Sequence, residues 1–72
     1  MNRLREVTIA FQAERYARDP PESGEFWVGE RVLFLGRSDD GTHTIFSRLS
    51  RPQELWTVED ETFYRCTLTT SA

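Results

Sequence analysis

From Val7 to Ala13 apolar and polar residues alternate, with Val7, Ile9 and Phe11 on one side and Thr8, Ala10 and Gln12 on the other. A period of two with β-branched residues predicts a half-buried strand. Glu14 to Arg18 fits either an extension of that strand or a short helical turn. Asp19-Pro20-Pro21-Glu22-Ser23-Gly24 then breaks regular structure, because its prolines and glycine favour a loop with some polyproline character. Phe26-Trp27-Val28 is a short apolar run closed by Gly29. Arg31 to Gly36 is nearly continuous in apolar side chains and reads as the central strand, with Phe34 at its middle.

Arg37-Ser38-Asp39-Asp40-Gly41 reads as a hairpin connection, since Asp40-Gly41 supplies residues that tolerate positive φ. Thr42 to Leu49 returns as the partner strand around Ile45 and Phe46. Ser50, with Gln53 three residues later and Pro52 in the first turn, has the form of a helix start. The spacing predicts a short helix over Arg51 to Trp56, ended by the acidic run Glu59-Asp60-Glu61. Thr62 to Leu68 reads as a last strand with Tyr64, Cys66 and Leu68 facing inward and Phe63, Arg65 and Thr67 outward. Residues 69–72 are expected to fray. The expected fold is therefore α+β and mainly β: one domain over residues 1–72, an antiparallel sheet of three to four strands with one short helix. An SH3-like half-barrel is one shape such a sheet can take.

Composition narrows the classes open to the chain. Its 72 residues are 38% hydrophobic and 12% aromatic, enough for a small core and too much for intrinsic disorder. A single cysteine excludes an internal disulfide framework, and with a single histidine it excludes a Cys/His zinc site. The charged start, Met1-Asn2-Arg3-Leu4-Arg5-Glu6, and the interrupted apolar run after it predict neither a secretory signal nor a membrane span. The lone thiol suits a reducing compartment, so a cytoplasmic location in a bacterial host cell is expected. All basic side chains other than His43 are arginines, which favours bidentate pairing with carboxylates.

The distribution of charge says more than the net −3. Residues 19–30 carry Asp19, Glu22, Glu25 and Glu30 with no arginine, and residues 54–61 carry Glu54, Glu59, Asp60 and Glu61 with none either. The segments 1–18 and 31–53 each have four arginines against two carboxylates, the latter pair being Asp39 and Asp40. If folding gathers the two acidic segments near Asp39 and Asp40, the resulting face steers basic partners and does so in a salt-dependent way. These ten carboxylates are the candidate partner-binding residues. The ordinary alternative is that they are solvated or paired individually with arginines, which contributes little energy.

Other constellations are weaker. Cys66 and His43 could form a thiol–imidazole pair, but a cysteine on the apolar side of a strand is more simply a core residue. Asp39 and Asp40 beside Thr42 could hold a cation loosely, although a hairpin turn alone demands those residues. Trp27 with Phe26, and Trp56 with Tyr64, could anchor a partner, but the core needs most of the nine aromatics, so at most one tryptophan is expected to be substantially exposed. Arg48, Arg51 and Arg65 are scattered and outnumbered, so direct nucleic-acid binding is not expected. Neither a catalytic group, a metal nor a cofactor is expected.

In its size, its acidity and its opening Leu4-Arg5-Glu6-Val7-Thr8-Ile9, with Phe26-Trp27-Val28-Gly29-Glu30 further on, the chain resembles small phage anti-CRISPR proteins directed at type I effector complexes. The resemblance lies in the profile of the whole chain. It implies a non-enzymatic inhibitor that binds a Cas subunit and blocks recognition of target DNA. Combined with the charge layout, this gives an expected function: a monomer whose acidic surface stands in for phosphates on the basic, nucleic-acid-binding groove of a larger protein. The alternative is an SH3-like peptide-binding or assembly-subunit module, which would expose an aromatic-lined groove.

Overall fold

The computed structural model describes residues 3–70. The chain forms β1 (Leu4–Val7), β2 (Phe11–Arg15), β3 (Ser23–Phe26), β4 (Arg31–Arg37), β5 (His43–Arg48), β6 (Arg51–Glu59), α1 (Asp60–Cys66) and β7 (Thr67–Thr69). All strands join one antiparallel sheet in the order β3-β2-β6-β5-β4-β1-β7, curled into a half-barrel with one short helix. The expected sheet of three to four strands is thus corrected to seven.

Each correction has a local cause. The alternating run from Val7 to Ala13 is two strands, because the chain turns at Thr8–Ala10 from β1 on one side of the sheet to β2 on the other. Val7 and Phe11 are buried as expected, whereas Ile9 lies in the turn and is exposed. Ser23–Phe26, read as loop and apolar run, is an edge strand against β2. Ser50 does not start a helix. Leu49-Ser50 is a tight hairpin connection, and Arg51–Glu59 pairs along β5 as the longest strand. Pro52 falls where the register shifts between Ser47↔Leu55 and Arg48↔Arg51, so its missing N–H breaks no regular ladder.

The last segment reverses the expected faces. Phe63 and Cys66, three apart on α1, are buried, while Tyr64 and Leu68 are exposed. Asp60 and Glu61 in the first turn and Arg65 in the last complement the helix dipole. Thr67–Thr69 pairs with β1, and Thr70 N–H donates to the Leu4 carbonyl at 3.1 Å. The expected fraying therefore does not begin at Thr69, and Ser71 and Ala72 lie outside the described residues.

The core is aromatic. Phe46 is fully buried, with its ring centroid 5.1 Å from those of Phe26 and Phe63 and 6.0 Å from Phe11, so it joins the β3–β2 end of the sheet to the helix. Phe34, placed at the centre by sequence, is only half-buried at the rim of this cluster, 6.3 Å from Phe63. Arginines seal the flanks: Arg48 lies over Phe26 at 4.0 Å, and Arg5 lies over Phe63 and Tyr64. Arg5 also donates to the hydroxyls of Thr67 and Thr69, and burial holds its pKa below the usual arginine value.

Candidate functional site

Antiparallel pairing of β4, β5 and β6 decides which carboxylates meet. The β4–β5 hairpin and the end of β6 fall at one end of the half-barrel, as the register His43↔Glu59 records. Asp60, at the start of α1, is tied to that hairpin. Its N–H donates to the Thr42 carbonyl at 3.0 Å, its carboxylate accepts from the Thr44 hydroxyl at 2.5 Å, and Arg37 pairs with it at 3.0 Å. Thr44 is fully buried and the Asp60 side chain only 20% exposed. Asp60 thus ties the start of α1 to the β4–β5 hairpin.

Asp40 shapes the hairpin itself. Its Oδ1 accepts from the Ser38 hydroxyl at 2.6 Å, the Thr42 hydroxyl at 2.8 Å and the Thr42 N–H at 3.1 Å. Gly41, at φ +73°, completes the turn. These hydrogen bonds, the Ser38 hydroxyl first, lower the Asp40 pKa from 3.8 to about 2. The ionised form is the bonded form, so the hairpin gains from Asp40 fully above its ordinary pKa and loses that gain as pH falls through about 2. An NMR titration of the side-chain carboxyl carbon is expected to give a midpoint near pH 2; a midpoint at 3.8 would show that the hydroxyls do not hold it.

Around these two, Asp39, Glu59 and Glu61 are exposed, and none of them is in an ion pair among the described residues. With Asp40 they leave four carboxylates beyond the Arg37–Asp60 pair on one end of a domain only 35 × 23 × 21 Å in extent. Negative potential is therefore concentrated there and open to solvent.

Three of the other candidate carboxylates are neutralised individually. Glu22 pairs with Arg15 at 3.6 Å and Arg18 at 3.8 Å, and Glu54 pairs with Arg51 at 3.4 Å. Glu30 pairs with Arg48 at 3.0 Å and accepts from the Trp27 N–H at 2.7 Å. Asp19 is exposed in the β2–β3 loop, and Glu25 on β3 accepts from the Gln12 amide at 3.3 Å. Glu22, Glu30 and Glu54 are thus each paired with an arginine, whereas Asp19 and Glu25 are in no ion pair among the described residues.

Cys66 is buried at the far end of α1 from the hairpin that carries His43, and the His43 Nδ1 is 2.8 Å from the Thr42 hydroxyl, so the two do not form a pair. Trp56 is 3% exposed and Trp27 60%, in keeping with one exposed tryptophan. Trp27 and Val28 tip a tight turn in which Gly29, at φ +96°, donates to the Val7 carbonyl at 2.9 Å. Sequence reasoning missed Gln12, Ser23, Glu14 and Thr57, which line an open groove between β2 and β6. Block counting could not show Glu14, whose charge is balanced by its neighbour Arg15. No protein-family model, curated protein or solved structure matches this chain. Among the described residues no helix is long and apolar enough to cross a membrane.

Proposed function

We propose that the protein is a non-enzymatic binding domain that sets its carboxylate end on a basic, nucleic-acid-binding surface of a larger protein and competes there with phosphates. The observation that carries this reading is that Asp39, Asp40, Glu59 and Glu61 stand by the hairpin and the start of α1, where Asp60 alone is in an ion pair, with Arg37. The field of these exposed carboxylates accelerates encounter with a positive surface. The resemblance to anti-CRISPR proteins makes a type I effector complex the first partner to test.

The variant D39N/E59Q/E61Q removes three charges and spares Asp60 and Asp40, which hold the local structure. Association with the effector complex is expected to slow by about tenfold or more at low salt, with far-UV circular dichroism unchanged. Raising salt from low ionic strength to 0.5 M is expected to weaken binding of the parent protein and to narrow that difference. Equal association rates at all salt concentrations would remove the carboxylate end from the interface. A second reading, an assembly subunit, is favoured by the exposed Trp27, Val28 and Ile9. In that case Trp27→Ala abolishes binding and the triple variant does not.

A further inference from the structure

The ladder between β2 and β6 is short. It pairs Glu14 with Thr57 and Arg15 with Trp56, and it stops before Gln12 would meet Glu59. The two strands splay there, leaving an open groove of about 250 Å³ lined by Gln12, Ala13, Glu14, Thr57 and Glu59, with Ser23 and His43 at its sides. That is several times the ~30 Å³ share of one water, yet below the ~300–1,000 Å³ of small-molecule pockets. It suits a single side chain rather than a free metabolite.

The lining specifies the chemistry. Glu14 and Glu59 bring two carboxylates, and no arginine lines the groove, since Arg15 is engaged with Glu22 and Trp56. Gln12 gives its amide N–H to Glu25 and so keeps its carbonyl oxygen as an acceptor. The hydroxyls of Ser23 and Thr57 add further acceptors, while Ala13 and Val58 offer apolar contact for a methylene stem. A bare divalent cation is a poor fit, because among the described residues no three His, Cys, Asp or Glu are placed to hold a metal ion. A planar guanidinium, with five N–H donors spread over a fork, reaches several separated acceptors at once, which an ammonium does not.

We propose that the groove between β2 and β6 is a receptor for an arginine side chain, with Glu14 and Glu59 as its charge partners and the Gln12 carbonyl, Ser23 and Thr57 as its hydrogen-bond acceptors. This rests on the reading of the protein as a binder of basic partners, and it names the side chain through which such a partner is gripped. Glu14 belongs to the groove alone, whereas Asp39 and Glu61 belong to the carboxylate end alone, so the two ideas fail separately.

The test is an amide NMR titration of the full chain with N-acetyl-arginine methylamide. The neutral isostere N-acetyl-citrulline methylamide and N-acetyl-lysine methylamide serve as controls. Saturable shifts are expected at residues 12–14 and 57–59 with the arginine probe and none with citrulline. Glu14→Gln is expected to weaken arginine binding by about tenfold, as befits loss of one charged acceptor, and D39N/E61Q to leave it unchanged. Because Glu14 is exposed at the surface, its substitution does not threaten the fold. Equal shifts with citrulline or lysine, shifts centred on Asp39 and Glu61, or an unaltered affinity in Glu14→Gln would each overturn the proposal. The last two results would leave the carboxylate end intact as a docking surface.

Discussion

Phe46→Ala is expected to cost about 3–5 kcal/mol, the range for removing a buried phenylalanine. Phe46 is fully buried and its ring meets Phe11, Phe26 and Phe63, so its loss opens a cavity bounded by β2, β3 and α1 at once. A domain of this length is stable by roughly 4–11 kcal/mol at 0.05–0.15 kcal/mol per residue. The substitution therefore removes a large share of the total. In urea the midpoint should fall steeply, or the chain should be substantially unfolded in water. A loss below about 1 kcal/mol would mean that the four rings do not form one packed cluster.

Gly24→Ala is the second large effect and acts by crowding rather than by a void. A Cβ built at Gly24 would lie 2.5 Å from Trp56 Cη2 and 2.7 Å from Cζ3. Trp56 cannot step aside, since it is 3% exposed and has Phe26 edge-on at 5.3 Å and the guanidinium groups of Arg15 and Arg48 over its ring. Edge strand β3 must then lift from the core, at a cost of about 1–3 kcal/mol. Hydrogen exchange should show the β2–β3 pairing loosened before the rest of the sheet. Gly36→Ala is the matched control, because nothing lies within 4 Å of its Cβ position and its φ is not positive. It should change stability by no more than about 0.5 kcal/mol. Equal effects at the two glycines would contradict the close approach of β3 to Trp56.

Much of the central sheet was legible in the chain. The run Arg31–Gly36, the Asp40-Gly41 turn and the return through Ile45 and Phe46 are local signals, and β4 and β5 lie where they point. The failures came where a local signal competed with tertiary pairing. Ser50-Arg51-Pro52-Gln53 has a helix start's chemistry, yet Leu55, Trp56, Thr57 and Val58 gain more by pairing between β5 and β2. The true helix did leave a trace, in acidic residues ahead of Phe63 and Cys66 spaced by three, but aromatic and threonine content made that stretch look extended. The candidate site was half legible for a related reason. Counting charge by segment found Glu59 and Glu61, with Asp39 and Asp40 added from the neighbouring hairpin, but it could not foresee that Arg48 crosses to Glu30, 18 positions away. Such pairs are set by strand register, which no window along the chain contains.

The contrast between Trp27 and Trp56 makes the molecule its own optical sensor. One indole stands 60% in solvent at the tip of a turn, and the other is 3% exposed beneath β3. Iodide should therefore quench the emission of Trp27 while sparing Trp56, and denaturation should abolish the distinction. A complex that covers the β3–β4 turn will dim the quenching, whereas one confined to the opposite, anionic end will leave it untouched, so a simple fluorimeter can tell which pole of the domain has been occupied.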